Sequence, residues 1–247
     1  MNLNKDAYGH EMLAYYNEKN SYEIIEREDG YIDISSGAPS YFKEYKDWKK
    51  HEKAAVKLVK GKVLDVGAGV GRISLYLQHK GHDVTAIDNS SLAIKVCKLR
   101  GVKKAIVLPI ENVDKLYDKF DTVVMFGNNF GLFGGFKKAK ILLKKLYDVT
   151  SDDVIIIAES NDPHKTTNKV HLAYQRYNVK HGRMPGQLRI RVRFQNYVGE
   201  WFDYLLVSKK EMEKILSGTG WKVRKYIDSQ TSVYFAVIEK DRHEKVR

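Results

Sequence analysis

Two acids flanking a glycine-rich turn carry the chemistry most legible in this chain. Val63-Leu64-Asp65-Val66 is a short apolar run that reads as a buried strand, and Gly67-Ala68-Gly69-Val70-Gly71-Arg72 leads from it into a helical pattern beginning at Ile73. Glycine permits unusual φ values there and lets a ligand lie on the backbone, where the first helical N–H groups point at it. The spacing is Gly-x-Gly-x-Gly, whereas a dinucleotide site has Gly-x-Gly-x-x-Gly and reserves the bare helix start for a pyrophosphate. Asp65 would repel a pyrophosphate and welcome a cation, so the ligand expected here carries positive charge. Asp83-Val84-Thr85-Ala86-Ile87 reads as the next strand and ends in Asp88, about twenty residues past the turn, where an acid can bind both hydroxyls of a ribose.

A cationic head joined to a ribose points to S-adenosylmethionine, which has a sulfonium, an ammonium and no phosphate. Asp65-x-Gly67-x-Gly69-x-Gly71 followed by Asp88 resembles the class I S-adenosylmethionine-dependent methyltransferase family over roughly residues 63–239, less an insertion. That resemblance implies that Asp65 and the loop of Gly67, Ala68 and Gly69, closing at Arg72, hold the methionine end, and that Asp88 holds the ribose. Asn89, Phe126 and Gly127 complete the cofactor contacts it leads one to expect. Glu111, after a third strand at 105–108, stands where the family borders the adenine; it reads equally as a solvated acid at a helix start.

The acceptor is less legible. The fourth strand, 120–126, ends in a loop rich in glycine and asparagine, and ligands of open α/β sheets bind in the crevice at such strand ends. Family members that methylate nucleobase amines often carry Asp/Asn-Pro-Pro-aromatic there, and Asn128-Asn129-Phe130 departs from it. Asn128 is read as a catalytic contact or a loop-stabilising Asx turn, and Asn129 as a substrate contact. Glu159, closing a fifth strand at 153–158, is a candidate base or a solvent-facing strand end. Tyr31 and Tyr41, beside a turn and a loop, are candidates to line the acceptor pocket.

The elements that must position these residues alternate strand and helix from Val63 onward, which implies parallel strands with right-handed crossovers. The expected fold is a doubly wound, seven-stranded, mostly parallel α/β sheet, Rossmann-like, with an N-terminal helix and hairpin cap and an inserted antiparallel hairpin. The expected segments are the cap and lead-in helix (1–60), the cofactor-binding core (61–160), the insertion (161–207) and the end of the core (208–247). Asp29-Gly30 is the hairpin signal of the cap; a loop at 36–40 leads to a helix expected over 41–59. Within the insertion Leu188, Ile190, Val192 and Phe194 alternate with Arg189, Arg191 and Arg193, a strand whose arginine face is either solvated or able to grip an anion through Arg191. Residues 201–207 are its expected partner, Ser208-Lys209-Lys210-Glu211 is a capping box, two strands form a final hairpin, and 240–247 is a polar tail.

Composition bounds the rest. Lys and Arg number 43 against 31 acids in 247 residues, a net charge of +12, which fits an anionic partner without requiring one. The single cysteine, Cys97, excludes an internal disulfide and a cysteine-cluster metal site. His10-Glu11 and His51-Glu52 do not continue to His-Glu-x-x-His, so no metal is expected. No membrane-length apolar run and no leader-like start is present, and the cytoplasm is the expected compartment. The favoured reading is a methyltransferase acting by in-line displacement on a nitrogen or oxygen of a small acceptor. RNA methylation and a catalytically idle nucleoside- or nucleic-acid-binding module are the alternatives, and the sequence assigns no oligomeric state.

Overall fold

The structure, a computed structural model, describes residues 3–18, 21–35 and 37–242; the loop expected at 36–40 and the tail at 240–247 lie partly outside them. The first elements are α1 (Ala7–Glu18), β1 (Glu23–Arg27), β2 (Ile32–Ser35), α2 (Lys50–Val56), β3 (Val63–Val66) and α3 (Arg72–His79). Next come β4 (Val84–Asp88), α4 (Ser91–Leu99), β5 (Lys104–Val107), β6 (Phe120–Met125), α5 (Phe136–Asp148) and β7 (Thr150–Asn161). The last are α6 (Lys169–Lys180), β8 (Gln187–Phe194), β9 (Tyr197–Val198), β10 (Phe202–Leu205), α7 (Lys209–Leu216), β11 (Trp221–Asp228) and β12 (Val233–Lys240).

Strands in the order β11-β12-β7-β6-β3-β4-β5 form a seven-stranded sheet, and β10-β8-β1-β2, with β9 on β8, form a five-stranded one. β4 pairs parallel with β5 and β6 with β7, while β12 runs antiparallel to β7 and β11 to β12. This is the mostly parallel sheet that the alternation implies, edged by the final hairpin. The chain divides into two compact units: Met1–Trp48, Leu64–Ile110 and Arg189–Phe202, and Lys49–Val63, Glu111–Leu188 and Asp203–Arg247.

In the first unit, Val84, Thr85, Ala86 and Ile87 of β4 are all buried, as a parallel strand covered on both faces requires. The helix after it is capped by Ser90, whose hydroxyl accepts from the Ala93 N–H at 3.0 Å. Met12 of α1 packs with Val70, Ala93 and Val96. Asp6, 2% exposed, ties the two helices together: its carboxylate accepts from Gly9 N at 3.0 Å, Ser90 Oγ at 2.9 Å and Leu92 N at 3.1 Å. One side chain thereby serves unpaired donors at the starts of two helices. β1 and β2 form the hairpin expected at Asp29-Gly30, and β1 also pairs with β8. The cap hairpin and the arginine strand, expected as separate pieces, are therefore parts of one sheet.

In the second unit, α5 buries Ala139, Leu142, Leu143 and Leu146 along one face. The capping box opens α7 as expected, with the Ser208 N–H donating to Glu211 at 2.8 Å. α6 was not foreseen, because its charged residues leave only a weak apolar stripe; buried Asn178 anchors it by donating to the Pro185 and Gln187 carbonyls at 3.1 and 2.6 Å.

The helix expected over 41–59 is instead two 3-10 turns, Ala38–Phe42 and Tyr45–Asp47, then extended backbone at Trp48 and Lys49, then α2. Trp48 is the reason. Its ring is buried against Tyr76 at 5.1 Å and under the Arg72 guanidinium at 4.9 Å, and its Nε1 donates to the Lys43 carbonyl, contacts that outweigh helical propensity. No described helix is long and apolar enough to cross a membrane.

Asp6→Ala should cost about 2 kcal/mol of stability in urea unfolding, because three donors lose their acceptor. Asp83→Ala, which breaks an exposed pair with Lys104, should leave the midpoint nearly unmoved.

Candidate functional site

In the first unit the glycine turn is fastened to β4. Gly67 N and Ala68 N both donate to the Ile87 carbonyl, at 2.9 and 3.0 Å, and Gly69 N donates to Asp88 Oδ2 at 2.9 Å. Gly67, Gly69 and Gly71 have φ of 70°, 54° and 79°, so the turn uses the left-handed region at each alternate residue. A Cβ at Gly69 would stand 2.5 Å from the Tyr8 hydroxyl, and one at Gly71 would stand 2.7 Å from Cys97 Sγ. The first glycine gives close approach to the turn, and the second lets α3 pack on α4.

Asp65 is 2% exposed and accepts from Ser74 Oγ at 2.6 Å. Burial pushes its carboxyl up to about 6, against the opposing pull of the Ser74 hydrogen bond and the charge of Arg72. Asp88, half-buried at the end of β4, also accepts from Ser90 N at 2.8 Å; burial raises its carboxyl above the usual range while these N–H groups oppose the rise. Asn89 beside it is exposed. Tyr8 lies over Gly69, and Tyr41 meets it edge-on with ring centroids 5.4 Å apart. Burial, with Tyr41, Asp88, Glu23 and Glu11 around it, holds the Tyr8 phenol in its protonated form. Tyr31 sits in the hairpin turn beneath the Arg27 guanidinium, 4.8 Å from its ring centre.

In the second unit, the loop leaving β6 is fixed from two sides. Glu159, 7% exposed, accepts from Gly127 N at 2.5 Å, and the Tyr204 hydroxyl donates to the Asn128 carbonyl at 2.7 Å. Asn128 is held in the left-handed region, φ 62° and ψ 22°, and its buried side-chain oxygen has no hydrogen-bond partner. Asn129 begins the 3-10 turn that follows. Phe126 packs on Phe235 with centroids 4.6 Å apart, and Phe235 stands opposite Glu159 in the ladder of β7 and β12. Glu111 is exposed and paired with Lys138 at 2.6 Å; burial of the carboxyl is outweighed by that lysine, which lowers its pKa.

Residues 38–130, a span holding Asp65, the glycine turn and Asp88, match the family model of tellurite resistance protein TehB. Among solved structures, an S-adenosylmethionine-dependent methyltransferase from Bacteroides fragilis in complex with S-adenosyl-L-homocysteine is similar, with TM-score 0.83 and 24% identity over 97% of each chain. One from Methanosarcina mazei has TM-score 0.59 and 19% identity over 79% of this chain and 98% of its own. A TehB-like one from Corynebacterium glutamicum has TM-score 0.52 and 18% identity over 79% and 91%. No curated protein matches. At these identities the structures share the fold, and the family model matches the span that holds Asp65, the glycine turn and Asp88. Over residues 38–130 the chain is similar to the TehB family, and its fold is that of the S-adenosylmethionine-dependent methyltransferases named above.

The residues present fit S-adenosylmethionine, the cofactor that the sequence leads one to expect. A cationic ligand suits a buried carboxylate whose charge Ser74 and Arg72 compensate only in part, and a sugar diol suits an acid fixed at a strand end by two N–H groups. Sequence spacing found the turn and both acids because strand, turn and strand are contiguous. It missed Tyr8 and Tyr204, which reach their places only through tertiary packing; no short spacing marks them.

Asp65 binds a cation only when ionised, so cofactor affinity should rise about tenfold from pH 5 to pH 7. The stability of the ligand-free protein runs the other way: the raised pKa contributes stability below about pH 4 that is lost as pH climbs through about 6. Calorimetric titration with S-adenosylmethionine across this range checks the first trend. Asp65→Asn should bind about 10- to 100-fold more weakly and with a flat pH response.

Proposed function

We propose that the chain transfers the methyl group of S-adenosylmethionine to a nitrogen or oxygen of a small acceptor. In this reading Asp65, Gly67, Ala68, Gly69 and Arg72 serve the methionine end, and Asp88 and Asn89 the ribose. Glu111, Phe126 and Gly127 complete the cofactor contacts, while Asn128, Asn129, Glu159, Tyr31 and Tyr41 serve the acceptor. The cofactor, when bound, supplies a methyl that is already electrophilic. What remains for the protein is to align a lone pair, exclude water and take up a proton where the acceptor has one to lose.

The observation that carries the small-acceptor reading is the state of the arginine strand. Arg191 makes a two-pronged contact with Glu26 at 2.9 and 3.0 Å, and Arg193 reaches the same carboxylate at 3.1 Å. The two arginines hold Glu26 below the usual carboxylate range, and Arg191 also stacks on Trp201 at 4.4 Å. A phosphate backbone would have to compete with that carboxylate for both arginines. The cover of Tyr8 and Tyr41 at the glycine turn likewise favours an acceptor of low mass.

Incubation with tritium-labelled S-adenosylmethionine, RNA oligonucleotides and a panel of small amines and phenols tests this. Label is expected in the small-molecule fraction, and any RNA binding is expected to be weak, fading steeply between low and physiological salt. Label in the RNA would contradict the reading, and tight cofactor binding with no acceptor in either class would favour the idle module.

A further inference from the structure

In the first unit a groove of about 410 Å³ lies where α4 meets β5, lined by Ser91, Ile94, Lys95, Lys98, Leu99 and Val107. β5 is the last strand on its side of the sheet, so no further strand covers it. Ile94 is 2% exposed and packs with Ala86, Cys97, Val102 and Ala105, which ties this wall of the groove to the core. Leu99 and Val107 are instead 54% and 44% exposed. Single apolar side chains are common on a surface; two that open onto one concave, partly buried wall form a patch that a ligand can cover.

The charge around that patch has one sign. Lys95 and Lys98 stand one helical turn apart on α4, both exposed; neither has an acidic partner among the described residues, and no acid lines the groove. Lys104, at the start of β5, is by contrast already paired with Asp83 at 2.8 Å. Sites for small ligands measure about 300–1,000 Å³ and combine apolar walls with a few polar groups that fix orientation, which is the composition here. A second copy of the chain using the same face would set lysines against lysines, and a phosphate backbone would leave Leu99 and Val107 uncovered. An anion that carries an apolar chain satisfies both halves of the groove.

We propose that this groove binds a single-chain carboxylate amphiphile, its head between the Lys95 and Lys98 ammonium groups and its tail along Ile94, Leu99 and Val107. The site goes beyond the methyltransferase reading and does not depend on it. The segments that bear the groove also fix Asp88: Val107 stands opposite that acid in the ladder of β4 and β5, and Ser91 follows Ser90, whose N–H donates to Asp88 at 2.8 Å. Occupancy by the amphiphile and by an adenosyl ligand must therefore be measured together.

The test is calorimetric titration of the full chain with sodium decanoate, kept below its micelle concentration, with decylammonium as the cationic control. Decanoate should saturate a single site per chain with a Kd below about 1 mM, and decylammonium should bind about tenfold more weakly or not at all. Lys95→Glu combined with Lys98→Glu should weaken decanoate about tenfold or more, and so should Leu99→Asp alone. Both variants change exposed side chains, so the urea midpoint should stay in place. Decanoate should still bind when the chain is mixed with excess S-adenosylhomocysteine. No saturable heat with decanoate, equal binding of decylammonium, or undiminished affinity in the variants would overturn the proposal. Displacement of decanoate by S-adenosylhomocysteine would make the groove part of the cofactor site and overturn it too, as would sedimentation of the free chain as a dimer that Leu99→Asp dissociates.

Discussion

A carboxylate enclosed at the end of β3, with the Ser74 hydroxyl as its close companion, is the constraint on which the first unit depends. Burying an acid this fully is unfavourable unless a cation or donors compensate, and the pKa near 6 shows that the Ser74 bond and the charge of Arg72 compensate only in part. Positive-φ glycines carry the chain away from it without side chains, and the turn is held down by the Ile87 carbonyl and Asp88.

The second acid belongs to the same network. From Gly69 N through Asp88 to Ser90, and from Ser90 to Asp6, hydrogen bonds of 2.8 to 2.9 Å join the glycine turn, the end of β4, the start of α4 and the start of α1. Tyr8, one turn further along α1, reaches back over Gly69. A change at the N-terminal helix is therefore felt at Asp88 through two routes. Charge is distributed to match: the chain carries +12, yet the groups fastened to the glycine turn are acids, and Arg191 and Arg193 of β8 share the Glu26 carboxylate. Cys97, its thiol pushed up to about 12 by burial, is packing rather than chemistry.

What could be read from the sequence was what adjacent residues determine. The strand-turn-helix around Asp65, the hairpin at Asp29-Gly30, the capping box at Ser208 and the final hairpin are each specified within a few residues, and each is present. The pairing of β1 with β8 was not legible, because alternation fixes which face of a strand is apolar and says nothing of its neighbour. The helix expected over 41–59 failed for a different reason, since its periodic aromatics are satisfied by burying Trp48 against α3 rather than by one continuous helical face. At the site the split is similar. Asp65 and Asp88 announce themselves by spacing, whereas Asn128's buried oxygen and Tyr204's hold on its carbonyl arise from packing between segments far apart in the chain.

The central claim is that two acids at a glycine turn select a cationic adenosyl ligand over a dinucleotide that carries a pyrophosphate. Parallel calorimetric titrations of the wild-type chain with S-adenosylmethionine and with NAD at neutral pH test it most directly. Saturable heat with S-adenosylmethionine and none with NAD is the result this account predicts; binding of NAD in the absence of any S-adenosylmethionine heat would contradict it.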